Sequence, residues 1–217
     1  MRITKPKFWD KKKKSFFSII LYPVSLLYLI FFKILSFKKT YKFNIPIICV
    51  GNIYLGGTGK TPLAIKLYQK LEKLNYRVCI GKKFYEDQTD EQTLIQKNAN
   101  IIVDKSRKNI INRALKNDME ILIFDDGLQD RKISYDIEVV CFDSECWIGN
   151  GFLIPSGPLR EKVTSLKKYN AVFLKNLGNE NKDIINKINI ISKTSPDSFN
   201  KCFFCSKSFC KKIYFIF

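Results

Sequence analysis

The first residues able to do chemistry are a cluster of glycines ahead of Lys60 and Thr61, in Gly51-Asn52-Ile53-Tyr54-Leu55-Gly56-Gly57-Thr58-Gly59-Lys60-Thr61-Pro62. Glycines let backbone N–H groups close on phosphate oxygens, and a helix that starts at the lysine adds partial positive charge at the same point. The spacing predicts a nucleoside triphosphate site wrapped by Tyr54, Leu55, Gly56, Gly57, Thr58 and Gly59. In it Lys60 neutralises the β- and γ-phosphates and Thr61 offers its hydroxyl to Mg2+. The strict G-x-x-x-x-G-K-[ST] pattern asks for glycine at position 54, where this chain has Tyr54. Three glycines in the four residues before Lys60 still exceed what an ordinary strand-to-helix turn requires.

A phosphate loop of this kind needs a carboxylate at the end of a neighbouring strand to hold the water shell of the metal. Ile121-Leu122-Ile123-Phe124-Asp125-Asp126 supplies one: four apolar residues, then two acids. A hydrophobic run ending in Asp says little by itself. Behind a Gly-Lys-Thr turn it completes a metal–phosphate site.

The elements that must position these groups follow from periodicity. Ile45 to Val50 is a short β-branched run ending at Gly51, as in a buried parallel strand, and Pro62 to Leu74 carries apolar residues at helical spacing. Further strands are expected at Arg77 to Ile80, Ile101 to Val103, Ile121 to Phe124, Ile137 to Phe142 and Ala171 to Leu174. Strands alternating with helical stretches predict an α/β fold, a parallel sheet flanked by helices on both faces. Asp104, Asp136 and Asp143 read as strand-end surface residues, and Glu86 to Glu91 as a polar loop.

With 217 residues the chain has room for one main domain and an appendage. Lys and Arg number 38 against 20 Asp and Glu, a net charge of +18 that favours a polyanionic neighbour. Nucleic acid is disfavoured, because Lys dominates over Arg and no stretch interleaves basic and aromatic residues. No obligate protein partner is evident. Of seven cysteines, Cys49, Cys79, Cys141 and Cys146 lie in or beside apolar runs and read as reduced, buried thiols. Cys202, Cys205 and Cys210 include a C-x2-C pair, but three thiols without histidine are a weak zinc signal.

Before the core, Lys11 to Lys14 precede an apolar run from Phe16 to Phe32 that Lys33, Lys38 and Lys39 follow. Positive charge on both flanks gives no preferred crossing direction and draws both ends to one anionic leaflet. The expectation is a helix lying in or dipping into a membrane interface. A helix packed on the protein's own core and a single spanning helix remain open.

Three blocks in order, Val50-Gly51-Asn52 with Gly56 to Pro62, then Asp125-Asp126-Gly127-Leu128-Gln129, then Gly149 to Glu161 (GNGFLIPSGPLRE), resemble the tetraacyldisaccharide 4′-kinase family of lipid A biosynthesis. Lys5-Pro6-Lys7-Phe8-Trp9 and the apolar run resemble that family's membrane-associated N-terminus. The resemblance implies a P-loop NTPase-like kinase core that moves the ATP γ-phosphate to the 4′-hydroxyl of an acylated diglucosamine lipid, with ATP and Mg2+ as cofactors. It implies work at the cytoplasmic face of the inner membrane of a Gram-negative bacterium. It also implies that Asp90, of the pair Asp90-Glu91, is the catalytic aspartate, that Asp125, Asp126, Glu91 and Glu161 serve the metal with Thr61, and that Gln129, Asn150 and Arg160 support substrate or structure.

The chain departs from that family in several places. Gly81-Lys82-Lys83-Phe84-Tyr85 stands where Ser-Arg-Gly-Tyr-Gly is usual, Leu128 and Asp130 replace Phe and His, and Lys162 replaces Pro. The family continues through a second small lobe carrying a histidine, and this chain has no His. The expectation is therefore a C-terminally truncated member: a membrane-associated segment at 1–42, a kinase core at 43–198 with the second lobe missing or incomplete, and an atypical tail at 199–217. The alternative reading is a non-catalytic, membrane-associated nucleotide-binding remnant.

Overall fold

Short apolar β-branched runs form the strands, and stretches with apolar residues every three to four positions form the helices between them. The computed structural model describes residues 5–10, 15–35, 40–85, 89–175, 183–184, 187–188 and 214–216. It divides into two units: residues 39–51 with 59–139, and residues 1–38 with 52–58 and 140–217.

The first unit carries β1 (Ile47–Gly51), α2 (Lys60–Glu72), β2 (Val78–Lys83), α3 (Thr89–Gln96), β3 (Ile101–Asp104), α4 (Arg107–Lys116) and β4 (Ile121–Asp125); α1 (Phe16–Leu35) belongs to the second. Its strands run in the order β3-β2-β4-β1, all parallel. The register sets Asp125 opposite Val50 on one side and Lys82 on the other. Because β4 is central, Leu122, Ile123 and Phe124 are fully buried. Helix α2 buries Leu63, Ala64, Ile65, Tyr68 and Leu71, and α4 buries Ile110, Ile111 and Ala114.

The chain after β4 returns against the end of β1. A Cβ at Gly51 would lie 2.6 Å from Leu128 Cγ and 2.8 Å from its Cδ1, so glycine is required for this approach. Gly51→Ala is expected to destabilise the chain by about 1–3 kcal/mol through overpacking. A thermal melt checks it, and an unchanged midpoint would show that Leu128 yields without cost.

The second unit contains α1, the final residues of β5 (Ile137–Asp143), β6 (Ala171–Lys175) and β7 (Tyr214–Ile216), with β7 antiparallel to β6. Helix α1 has the reverse of ordinary polarity. Its serines face inward: Ser18 and Ser25 are buried, with Ser25 Oγ 2.9 Å from the Leu153 carbonyl and 2.8 Å from Ser156 Oγ. Its large apolar side chains face outward, among them Phe16 (73% exposed), Phe17 (63%), Leu27 (66%) and Phe31 (62%). Among the described residues no helix is long and apolar enough to cross a membrane.

Several expectations need correction. Strand β2 runs on through Gly81, Lys82 and Lys83, because its ladder with β3 and β4 supplies partners that the local polarity does not reveal. Asp90 and Glu91 lie in the first turn of α3, not in a loop. Asp143 is buried, where it accepts a hydrogen bond from the Glu145 backbone and pairs with Lys175 at 3.3 Å. Cys49, Cys79 and Cys141 are buried and outside any disulfide, as expected, and burial pushes the Cys79 thiol up to about 12; Cys146, expected to be buried, is exposed. Cys202, Cys205 and Cys210 lie outside the described residues.

Candidate functional site

Within the first unit the groups that sequence singled out gather around the end of β4. Lys60 opens α2 behind Gly59, whose φ of +82° is a left-handed conformation that glycine adopts without steric cost. Among the described residues no side chain caps this helix start, which leaves its first N–H groups directed at whatever anion enters. One residue on, Thr61 Oγ1 donates to Asp125 Oδ2 at 2.9 Å.

Asp125 is the hub. Its side chain is fully buried, and Oδ2 also accepts from the Lys82 ammonium at 2.7 Å. The same ammonium donates to Glu91 Oε2 at 2.6 Å. Lys82 is 2% exposed, yet burial, which opposes its charge, is outweighed by Asp125 and Glu91, so its pKa stands above the ordinary lysine value. The other carboxylate oxygen, Asp125 Oδ1, is buried without a hydrogen-bond partner among the described residues. Asp126, held at a φ of +65°, places Oδ2 3.8 Å from Lys60 Nζ. Asp90 sits beside Glu91 at the start of α3 and is exposed.

Arg107 braces the turn after β4. Its guanidinium donates to Asp130 Oδ2 at 2.9 Å and to the Asp126 carbonyl. Gln129 is half-buried in the same turn.

Within the second unit, residues 52–58 form a closed glycine-containing turn. Asn52 Nδ2 donates to the carbonyls of Tyr54 at 2.5 Å and Gly56 at 3.1 Å, closing the turn on itself. The block that ends in Arg160-Glu161 supports the loop: Leu55 N donates to the Pro158 carbonyl at 2.8 Å and Arg160 N to the Ile53 carbonyl at 2.7 Å. Tyr54, at the position where the strict pattern has glycine, turns its hydroxyl to Asp10 at 2.7 Å, and the Lys5 ammonium stands 4.4 Å from its ring centre. Burial and the Asp10 hydrogen bond raise the Tyr54 pKa, so it stays a neutral donor. The Thr58 hydroxyl is buried with no partner among the described residues, as a phosphate-facing donor would be.

Glu161 is buried in this unit and accepts from the Tyr169 hydroxyl at 2.9 Å. Asn150 is half-buried. It donates to Ser18 Oγ and the Ser156 carbonyl, both at 3.0 Å, and so ties α1 to the loop that follows it.

Among the described residues no group of three or more His, Cys, Asp or Glu could hold a metal by itself. Mg2+ does not require one, since it keeps several waters and takes most of its remaining ligands from the nucleotide. The Thr61 hydroxyl beside the unsatisfied Asp125 Oδ1 fits an ion of that habit.

Sequence reasoning missed three contributors: Lys82, Arg107 and Asn52. For Lys82 a signal existed. Counting the parallel ladder forward from Val78 opposite Ile121 brings Lys82 opposite Asp125.

A parallel α/β sheet whose first strand leads through a glycine-rich turn to Lys-Thr on a helix, beside a strand ending in Asp125, has the arrangement of a P-loop fold. The family model for tetraacyldisaccharide-1-P 4′-kinase (LpxK) matches residues 17–201, and the chain belongs to that family. It is 53% identical over 180 residues to the tetraacyldisaccharide 4′-kinase of Pelagibacter ubique, a match covering 83% of this chain and 57% of that protein. It is 38% identical over 208 residues to the enzyme of the same name from Wigglesworthia glossinidia brevipalpis, covering 83% and 56%. Among solved structures, LpxK from Aquifex aeolicus in complex with ATP superposes with a TM-score of 0.63 at 28% identity, covering 72% of this chain and 58% of that one. The chain thus spans a little over half the length of these relatives.

Proposed function

We propose that this chain is an ATP-dependent kinase that transfers the γ-phosphate to the 4′-hydroxyl of tetraacyldisaccharide 1-phosphate. One observation carries the reading: Lys60 and Thr61 stand on the uncapped start of α2 with the Thr61 hydroxyl held on the buried Asp125. Family membership and the ATP bound to the Aquifex aeolicus relative support it.

In this reading Gly56 to Thr61 bind the phosphates, Thr61 and Asp125 would hold Mg2+ directly or through water, and Glu91 and Asp126 would supply further negative charge to the metal. When bound, Mg2+ would draw charge from the transferring phosphoryl. Lys60 holds the phosphate oxygens in line, and Asp90 orients the acceptor hydroxyl and takes its proton. Tyr54 acts through its backbone, since its side chain is committed to Asp10 and Lys5.

The lipid acceptor is met at a membrane surface, the cytoplasmic face of the inner membrane. The outward apolar face of α1 supports this, because exposed Phe, Ile and Leu in such number are costly in water and favourable at an acyl boundary. Labelled ATP, the acylated disaccharide phosphate and anionic vesicles test both parts together. The expected result is labelled lipid, with the chain sedimenting on the vesicles. ATP binding without labelled lipid would favour a nucleotide-binding protein without transfer, and a chain left in the supernatant would remove the membrane role of α1.

A further inference from the structure

A buried lysine next to a candidate metal ligand needs a reason, because an ammonium removed from water is costly unless its partners repay the loss. Lys82 lies on the inner end of β2, opposite Asp125 in the ladder, and reaches both Asp125 Oδ2 (2.7 Å) and Glu91 Oε2 (2.6 Å). Asp125 Oδ2 is also the acceptor for Thr61, the residue that offers its hydroxyl to the metal. Lys82 therefore places a fixed unit of positive charge in the acidic cluster to which a divalent cation must come.

We propose that Lys82 is the resident counter-ion of the metal site: it holds Asp125 and Glu91 together while the site is empty and keeps divalent-cation affinity low until the nucleotide arrives. This rests on the nucleotide-site reading above and adds a positioning residue to it. The physical logic is one of charge count. Asp125 and Glu91 without Lys82 present two negative charges to a cation, and with it only one. The phosphates of a nucleotide add the charge that brings the ion in, so the metal enters with its nucleotide and not ahead of it. Lys82 also joins the end of β2 to the first turn of α3, the turn that carries Asp90, so the same contact sets where Asp90 stands.

The test is binding of Mn2+ to the whole chain without nucleotide, followed by electron paramagnetic resonance, in native protein, Lys82→Met and Lys82→Arg. Lys82→Met is expected to bind Mn2+ at least about tenfold more tightly than native, while Lys82→Arg, which keeps the charge, stays within about threefold. A merely structural lysine would leave Mn2+ affinity unmoved. Equal or weaker binding in a Lys82→Met chain that still melts cooperatively overturns the proposal.

A second measurement does not depend on that variant folding. In native chain with labelled lysine side chains, the Lys82 ammonium resonance is expected to shift as Mg2+–ADP saturates the site, and a resonance unmoved at saturation overturns the proposal. If the native chain binds no Mg2+–ADP, the nucleotide site falls and this proposal with it. If it binds and Lys82→Met leaves Mn2+ affinity unchanged, the counter-ion role alone falls.

Discussion

Lys60→Ala is expected to lower phosphoryl transfer by at least about 10³-fold and to weaken ATP binding by about 10- to 100-fold, while leaving the free chain as stable as before or slightly more so. The losses follow from the charge-assisted hydrogen bonds an ammonium makes to phosphate, each contributing about 1.5–3 kcal/mol, and from the role of that charge on the transferring group. The stability prediction comes from where the lysine sits. It is the first residue of α2, at the positive end of the helix, where a cation is unfavourable by about 0.3–1 kcal/mol. Its ion pair with Asp126 is long, at 3.8 Å, and alanine is the better helix former. Lys60 is thus placed against local stability, as binding residues often are. Calorimetry with Mg2+ and ATP, paired with a thermal melt, checks both halves. The melt separates lost binding from lost folding, and undiminished ATP affinity in Lys60→Ala would remove the lysine from the phosphate site.

Most of this architecture can be read from the chain, for a definite reason. The strands are built on short apolar runs, and each expected run overlaps a strand, with bounds that differ by up to three residues. The phosphate loop is legible because few residue types can sit where backbone must meet phosphate. What the sequence conceals is the part decided by register. Gly81-Lys82-Lys83 looks like the polar end of β2, yet the ladder carries Lys82 beneath Asp125 and buries it. Glu86 to Glu91 looks like solvated loop, yet the Glu91 contact with Lys82 comes from the first turn of α3. Tyr54 looks like a defect in a motif. The structure shows a side chain turned away to Asp10 and Lys5 while Asn52 gathers the loop carbonyls, so the loop keeps its form without glycine there. Apolar periodicity reports which face of an element is buried, and pairings of polar residues across strands stay invisible to it. Helix α1 marks another limit, since an apolar composition does not say that Ser18 and Ser25, and not Phe16, Phe17 and Phe31, are the side chains that face the protein.

Asp90→Asn is expected to lower kcat by about 10²- to 10⁴-fold while KM for ATP stays within about twofold. The amide keeps the size of the carboxylate and can still hydrogen-bond the acceptor hydroxyl, but it takes no proton. Asp90 also has a plainer role to exclude. In the first turn of α3, beside Glu91, a carboxylate favours the helix through its dipole by about 0.3–1 kcal/mol, whatever else it does. The two roles separate in measurement. A carboxylate that only supports the helix would give an Asn variant with a slightly lower melting temperature and nearly native kcat. A proton acceptor would give the large fall in kcat with ATP affinity intact, because in the proposed site Lys60, Thr61 and Asp125 would hold the nucleotide without it. Glu91→Gln sharpens the contrast: it keeps Asp90 but weakens the tie to Lys82, so it is expected to show a smaller fall in kcat than Asp90→Asn. A fall as deep as that of Asp90→Asn would move the essential carboxylate from Asp90 to its neighbour.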